Sequence, residues 1–177
     1  SDMLKKLQEK KLVRYERYKG VELSKLGKSK AINILRKHRL WETFLVNKLA
    51  FGWQEVHEVA EQLEHIKSEE LIDKLDAFLN HPKFDPHGEP IPNKEGEIPI
   101  RNTIPLNELK IGEKGNVMGV NLDEKLFLDY LTKLNISIGT EIELLETISF
   151  DQSLSIKVAN KTQHISNDVA KHLLIKI

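Results

Sequence analysis

All six prolines of this 177-residue chain lie between residues 82 and 105. Proline has no backbone N–H and a fixed φ, so it is excluded from helix interiors and from central strands. The sequence therefore predicts an irregular linker over residues 82–105 that divides the chain in two. Both parts are long enough to bury a core of their own.

The part before the prolines has mainly helical periodicity. A helix is predicted over residues 1–10, and a β-hairpin with a Lys19-Gly20 turn over residues 12–23. A long helix from about Lys25 to Leu49 ends at Phe51-Gly52-Trp53, and shorter helices follow over residues 54–66 and 68–79.

The part after the prolines is rich in Ile and Val and has the period of short strands. Strands are predicted over residues 116–120, 141–148, 154–158 and 162–165. One helix interrupts them over residues 123–134, with a buried stripe of Leu126, Phe127, Tyr130, Leu131 and Leu134. The predicted fold class is mainly α plus a small β-barrel.

Charge is distributed unevenly although the formal net charge is zero. Residues 1–30 contain ten basic and four acidic side chains, a net charge of +6. A basic end on a neutral chain indicates a polyanionic partner that is bound at that end.

No apolar run reaches the roughly 18 residues of a membrane span, and no signal peptide is recognisable. The chain has no cysteine, which excludes a disulfide scaffold, a thiolate zinc site and a cysteine nucleophile. A cytoplasmic protein is the simplest interpretation.

A helix followed by a basic β-hairpin is the second half of a winged helix-turn-helix. In such modules the helix enters the major groove and the hairpin lies along phosphates. The alternative is a solvated amphipathic helix followed by an ordinary hairpin. The candidate DNA-binding residues are Ser1, Asp2, Lys5, Lys6, Arg14, Arg17 and Lys19.

A second group of polar residues follows helical spacing further along the chain. His57, Glu61, Glu64 and His65 fall within an arc of about 100° on a helical wheel, and the apolar residues occupy the opposite side. On the preceding helix, His38 and Glu42 are four residues apart among apolar neighbours, so they share one face.

Polar groups in an apolar stripe need partners, because an unpaired buried imidazole or carboxylate is costly. Two facing helices with nitrogen and oxygen donors and no thiolate would suit Mn²⁺, Fe²⁺ or Zn²⁺. The six residues could instead be a solvated acidic face and a salt-bridged pair. A di-iron carboxylate enzyme is disfavoured, because its Glu-x-x-His motif is absent.

The remaining histidines have simpler interpretations. His81 and His87 are interpreted as turn residues of the proline segment, and His164 and His172 as structural residues of the β domain. No phosphate-binding glycine-rich loop and no nucleophile elbow is present. A metalloenzyme is a further alternative, and it would require an open coordination position in a pocket.

Three stretches together carry a family resemblance. RKHRLWETFLVNKL (residues 36–49), VHEVAEQLEH (56–65) and DPHGEPIP (85–92) resemble the metal-dependent transcriptional repressors of the diphtheria-toxin-repressor and manganese-transport-regulator family. Residues 1–27 are similar to the family's recognition helix and wing. The likeness is weaker over residues 105–177, where longer members have an SH3-like (FeoA-type) domain.

The resemblance implies a cytoplasmic homodimer that binds operator DNA when Mn²⁺ or Fe²⁺ is bound and so represses metal-uptake genes. It implies metal ligands at His38, Glu61, Glu64 and His65, and an ancillary ion at Glu42 and His57. Glu61 favours manganese, since iron-type members have cysteine there. Asp123 or Glu124 falls near the place where the β domain adds ancillary ligands. Exposed aromatic residues around Trp41 and Trp53 would form the dimer interface.

The implied domains are the recognition helix and wing (1–24), a helical metal-binding and dimerisation domain (25–81), the linker (82–105) and the SH3-like domain (106–177). Family members begin with two helices that precede the recognition helix, so a segment upstream of Ser1 is expected. One of those helices supplies further metal ligands. The alternative is a metal-binding dimerisation module that does not bind DNA in this form.

Overall fold

A computed structural model describes residues 2–16 and 20–177. The N-terminal part contains α1 (Asp2–Glu9), β1 (Val13–Glu16), β2 (Gly20–Leu23), α2 (Lys25–Leu49), α3 (Val56–Leu63) and α4 (Glu69–Phe78). Strands β1 and β2 are antiparallel, with Val13 opposite Leu23. The predicted helix and hairpin are therefore present, and the hairpin tip at residues 17–19 lies outside the described residues.

Helix α2 begins where Ser24 caps it, because the hydroxyl of Ser24 accepts a hydrogen bond from the Gly27 N–H at 2.9 Å. It ends at Ala50, whose left-handed φ of 58° stops the helix. The central turns of α2 are buried and pack against α3 and α4. This helical core consists of Leu40, Trp41, Leu45, Val56, Ala60, Ile72, Leu75 and Ile91.

The C-terminal part contains β3 (Ile104–Pro105), β4 (Lys114–Val120), α5 (Lys125–Lys133), β5 (Glu141–Thr147), β6 (Leu154–Val158), β7 (Lys161–Ile165), α6 (Asn167–Ala170) and β8 (Leu173–Lys176). The strands form one antiparallel sheet in the order β3-β8-β4-β5-β6-β7. The edge strands β3 and β7 do not pair with each other within the described residues. The predicted small barrel is therefore an open, SH3-like sheet, and its β3 edge is only two residues long.

One predicted core position in this part is wrong. Leu126 is 82% exposed, whereas Leu128, which the predicted stripe omitted, is buried at 1%. The two residues are two positions apart in α5, about 200° on a helical wheel, so they lie on opposite sides of the helix and the sheet packs on the side of Leu128. Leu128 and Leu131 are fully buried in α5, and Phe127, Tyr130 and Leu134 are partly buried against the same core.

The proline segment is packed rather than free. Ile91 belongs to the helical core, and the carbonyl of His87 accepts a hydrogen bond from the Val120 N–H of β4 at 2.9 Å. Gly88 has a φ of +79°, and a Cβ there would lie 1.9 Å from the Met118 carbonyl oxygen. The segment therefore lies directly against β4 and fixes the position of residues 85–88. None of the helices in the described parts of the chain has the length and apolarity that a membrane crossing requires.

Candidate metal centre

The carboxylate of Glu42 lies at the centre of the site and is 2% exposed. His38 precedes it by one turn of α2, and its Nε2 is 3.0 Å from Oε1 of Glu42. His57 enters from α3, with Nδ1 3.4 Å from the same oxygen and 3.3 Å from Nε2 of His38. One donor atom from each of these three residues therefore lies within 4.8 Å of the other two.

A second donor group shares Glu42 and comes from the proline segment. Its members are Glu42, Asp85 and His87, all buried. Nδ1 of His87 is 3.7 Å from Oε2 of Glu42 and 4.0 Å from Oδ1 of Asp85. Glu42 therefore presents one oxygen to the His38 and His57 side and the other to the His87 side.

The turn at residues 85–89 holds Asp85 in place. Its Oδ1 accepts hydrogen bonds from the backbone N–H groups of His87, at 2.8 Å, and Glu89, at 3.0 Å. Its other oxygen, Oδ2, is buried and has no hydrogen-bond partner among the described residues. The closest cation is Arg39, whose Nε is 3.6 Å from Oδ2. A buried carboxylate oxygen without a hydrogen bond leaves the charge of Asp85 only partly matched.

The pKa values of the cluster reflect burial opposed by charge. Burial disfavours ionisation of Glu42, but hydrogen bonds and charges of His38 and His87 outweigh it and lower the pKa of Glu42 to about 2. Burial, with the Glu42 charge added, raises the pKa of Asp85 to about 7. Burial would lower the pKa of His87, but Glu42 and Asp85 raise it to about 9. Burial likewise opposes protonation of His38, yet Glu42 and Glu64 raise its pKa. A divalent cation would take over the charge that these protons supply.

The donor chemistry fits a divalent transition metal. Imidazole nitrogens and carboxylate oxygens are available, and the chain has no thiolate. Such a set suits Mn²⁺, Fe²⁺ and Zn²⁺, and the carboxylates favour the harder ions among them.

The other predicted ligands lie at the rim of this cluster. Oε2 of Glu64 is 2.7 Å from Nδ1 of His38, and Oε1 of Glu61 is 3.5 Å from Nε2 of His57. Helix α3 ends at Leu63, two residues before His65. The exposed His65 side chain makes no hydrogen bond or ion pair with the other five predicted ligands in the described parts of the chain. The structure thus brings five of the six residues together and leaves His65 apart.

Sequence reasoning missed Asp85 and His87, and the interpretation of His87 as a turn residue is incomplete. His87 does lie in a turn, but its ring is buried against Glu42, 45 positions earlier in the sequence. A carboxylate and a histidine two residues apart in the proline segment were the available signal. Asp123 and Glu124, by contrast, fall near the site as the family resemblance implied. With His57 they line a cavity of about 510 Å³ between α3 and the start of α5.

The predicted DNA-binding residues are distributed over α1 and the hairpin. Asp2, Lys5 and Lys6 lie on α1, which buries none of its residues, and Arg14 is exposed on β1. Ser1, Arg17 and Lys19 lie outside the described residues. The described members of this set are therefore accessible to a large partner.

A helical domain with a shared histidine–carboxylate cluster, joined to an SH3-like sheet, defines a class of metal-sensing regulators. Residues 24–93 match the family described as "Iron dependent repressor, metal binding and dimerisation domain", and residues 104–177 match the FeoA domain. A solved manganese-dependent transcriptional repressor in complex with manganese superposes with a TM-score of 0.85 at 32% identity, over 98% of this chain and 81% of that one. The chain belongs to the diphtheria-toxin-repressor and manganese-transport-regulator family, whose members are transcriptional regulators rather than enzymes.

Two curated relatives are similar over part of their length. The iron-dependent repressor IdeR of Mycobacterium tuberculosis (strain ATCC 25618 / H37Rv) is 32% identical over 143 residues, which cover 76% of this chain and 62% of IdeR. A probable metal transport system membrane protein of Chlamydia pneumoniae is 50% identical over 76 residues, 43% of this chain and 17% of that protein. The chain therefore spans less than two thirds of the length of either relative.

Proposed function

We propose that the chain is the metal-sensing part of a transcriptional repressor that binds Mn²⁺ or Fe²⁺ and, as a homodimer in the cytoplasm, binds operator DNA. Other divalent ions such as Zn²⁺ are expected to bind in vitro. The regulated genes would be those of metal uptake. The observation that carries the proposal is the position of Glu42, buried between two histidine-containing donor groups.

The metal would be held by His38, Glu42 and His57, and by Glu42 with Asp85 and His87. Both groups include a residue of α2, so an occupied site would join α2 to α3 and to the proline segment. The bound ion would supply positive charge in place of the protons on the histidines. Glu61, Glu64 and His65 are proposed as ligands of a site that also requires groups from outside this cluster.

The basic head is the recognition helix and wing of residues 1–24. It would bind DNA through Asp2, Lys5, Lys6 and Arg14, together with Ser1, Arg17 and Lys19. Ser24 connects this head to the metal-binding helix: its hydroxyl donates to the Lys11 carbonyl at 2.6 Å while it caps α2. A metal-induced change in α2 can therefore be transmitted to the head, because the polypeptide chain and the hydrogen bond from Ser24 to Lys11 join the two.

The dimer interface is proposed on the exposed apolar side of α2 and α4. The expectation of exposed aromatics around Trp41 and Trp53 is not met: Trp41 is 9% exposed and belongs to the helical core, and Trp53 is partly buried against the core of the C-terminal domain. Phe78 is 62% exposed and Leu49 is 53% exposed, and Phe78 lies 6.2 Å from the half-buried Phe44 ring. Exposed aromatic and aliphatic side chains of this kind are typical of an oligomer interface.

Calorimetric titration of the chain with Mn²⁺ tests the site, with Glu42→Gln as the variant and Glu146→Gln, an exposed change on β5, as the control. We expect Glu42→Gln to lower Mn²⁺ affinity at least tenfold and the control to leave it unchanged. Equal affinities would contradict the site.

Selection from a pool of random duplex DNA, with Mn²⁺ and with a chelator, tests the DNA function. Enrichment of a two-fold symmetric sequence only with Mn²⁺ is expected. A chain that takes up the metal and gains no affinity for any duplex would instead support the alternative, a metal-binding dimerisation module that does not bind DNA in this form.

A further inference from the structure

Trp53 makes contacts in two directions from the loop between α2 and α3. Its backbone carbonyl lies 2.7 Å from Nε2 of His87. Its indole ring stacks on the imidazole of His87, with the ring centroids 6.1 Å apart and the planes inclined by 15°. Its indole Nε1 donates a hydrogen bond to the hydroxyl of Thr132 in α5 at 3.1 Å. One residue thus joins the candidate metal centre to the C-terminal sheet domain.

The contact with the carbonyl decides which nitrogen of His87 faces the cluster. A carbonyl oxygen can only accept, so Nε2 of His87 carries the hydrogen and donates it. When the ring is neutral, Nδ1 is then the nitrogen with the free lone pair. Nδ1 faces Glu42 at 3.7 Å and Asp85 at 4.0 Å. These separations are long for hydrogen bonds but match donor atoms that share one cation, since metal–ligand bonds of about 2.1 Å separate ligands by roughly 3 to 4 Å.

Thr132, which accepts the hydrogen bond from the Trp53 indole, is also held in a fixed orientation. The Thr132 hydroxyl donates to the Leu128 carbonyl at 2.9 Å, so its lone pair is available to the Trp53 indole. Leu128 is fully buried in the core of the C-terminal domain, which makes Thr132 a fixed acceptor. The hydrogen bond that the Trp53 indole donates to Thr132 therefore anchors the loop on α5.

We propose that Trp53 is a positioning residue for the metal centre: its indole anchors the α2–α3 loop on Thr132, and its carbonyl holds His87 with Nδ1 directed at Glu42 and Asp85. The inference rests on the proposed function, because it concerns the same metal. Carbonyl acceptors that fix the free nitrogen of a ligand histidine commonly set its orientation and its strength as a ligand. The C-terminal domain would thus contribute to metal affinity through this hydrogen bond, in addition to the Asp123 and Glu124 side chains that lie near His57.

Two variants remove the same hydrogen bond from opposite ends. Trp53→Phe keeps an aromatic ring on His87 and loses the N–H, and Thr132→Val keeps the shape of the acceptor and loses its oxygen. Each is expected to lower Mn²⁺ affinity about tenfold, and the double variant to lose no more than either single one, because they break one connection. Trp41→Phe is the control, since the buried indole N–H of Trp41 has no hydrogen-bond partner among the described residues.

A second readout follows the imidazole itself. ¹⁵N NMR of the Zn²⁺-loaded, diamagnetic chain is expected to show a proton on Nε2 of His87 that exchanges slowly in the wild type. In Trp53→Phe and Thr132→Val this proton should exchange faster, while Trp41→Phe should leave it slow. A role of Trp53 in folding alone would speed the exchange of all slowly exchanging protons together, not of this proton selectively.

The outcomes separate the two claims. If Glu42→Gln loses Mn²⁺ while Trp53→Phe and Thr132→Val bind it as the wild type does, the positioning role is wrong and the metal site stands. If Glu42→Gln also binds Mn²⁺ normally, the proposed site itself is wrong. Should Trp53→Phe fail to fold, Thr132→Val decides the question alone, since it removes the same bond and leaves the stacked ring in place.

Discussion

Arg39 and Asp85 form a buried ion pair in which neither facing atom has a hydrogen bond to any described residue: Nε of Arg39 is 3.6 Å from Oδ2 of Asp85. The rest of the Arg39 guanidinium is occupied, because it donates to the carboxylate of Glu89 and to the carbonyl of Pro90 at 2.5 Å. The pair is therefore held apart by contacts on both sides. Asp85 therefore keeps a negative charge that Arg39 matches only in part.

Asp85→Asn is expected to lower Mn²⁺ affinity at least tenfold while leaving the metal-free chain as stable or about 1 kcal/mol more stable at pH 8. Asparagine keeps the Oδ1 that accepts from His87 and Glu89, and it removes a charge that burial disfavours. Calorimetric titration and urea unfolding with a chelator present measure the two effects.

The matched control for this change is Asp151→Asn, which alters an exposed carboxylate in the β5–β6 turn. It should leave Mn²⁺ affinity unchanged. Loss of several kcal/mol from metal-free Asp85→Asn would show that the Arg39 pair stabilises the fold, contrary to this prediction.

The metal-free chain is expected to lose stability as the pH rises from about 6.5 to about 9. The pKa of His87 is raised from 6.5 to about 9 in the folded chain, through Glu42 and Asp85, so the folded state holds this proton more tightly than the unfolded state. The contribution of His87 to the free energy of unfolding is therefore present in full below pH 6.5. It is lost as the pH approaches 9, at no more than about 1.4 kcal/mol per pH unit. Urea unfolding at half-unit pH steps in a chelator measures the slope.

His87→Gln provides the comparison, because glutamine does not titrate in this range and its amide can still donate to the Trp53 carbonyl. The variant should show a flatter profile between pH 6.5 and 9. Saturating Mn²⁺ should reverse the slope in the wild type, since the metal competes with the proton for Nδ1. Identical slopes for the wild type and the variant would exclude His87 as the source.

The sequence predicts helix α2 well and the open sheet only in part. The bounds of α2 follow from the Ser24 cap and from the Phe51-Gly52-Trp53 break, which are local signals. Strands β3 and β8 and helix α6 were not predicted, because each has four residues or fewer and exists through pairing or packing with distant elements. Leu126 and Leu128 lie on opposite sides of α5, and which side faces the sheet depends on the packing of the whole domain, which the local sequence does not report.

The residues of the candidate metal centre could likewise be predicted from the sequence only in part. His38, Glu42 and His57 could be predicted, because helical spacing places them on facing sides of two consecutive helices. Asp85 and His87 could not be assigned, since their role depends on how the proline segment packs against α2 and β4. That packing is set by Gly88 and by the backbone of β4, and no local periodicity reports it.

Ser24→Ala is expected to destabilise the chain by about 1 to 2 kcal/mol and to increase hydrogen exchange at the amides of residues 2–16. Ser24 accepts from Gly27 as the cap of α2 and also donates to Lys11, so its loss affects both the helix and the head. Mass-spectrometric hydrogen exchange measures the change in the head separately from the helix.

Ser68→Ala serves as its control, because Ser68 also caps a helix, α4, through Leu71 at 3.2 Å, and makes no contact with the head. It should cost about 1 kcal/mol and leave exchange in residues 2–16 unchanged. Equal exchange in the head of both variants would mean that Ser24 acts only as a cap.

Gly88→Ala is expected to destabilise the chain by about 3 kcal/mol or more and to weaken Mn²⁺ binding, because the new Cβ would lie 1.9 Å from the Met118 carbonyl oxygen of β4. Either the turn that holds Asp85 and His87 or β4 itself would have to move.

Gly112→Ala separates this clash from backbone strain, since Gly112 also has a positive φ, +85°, but has no atom within 4 Å of the added Cβ. The free energy of unfolding of Gly112→Ala should fall by about 1 kcal/mol, from the positive φ alone, and the variant should bind Mn²⁺ normally. Urea unfolding and calorimetric titration of both variants measure the difference, and equal losses would mean that the approach of the proline segment to β4 does not hold the site in place.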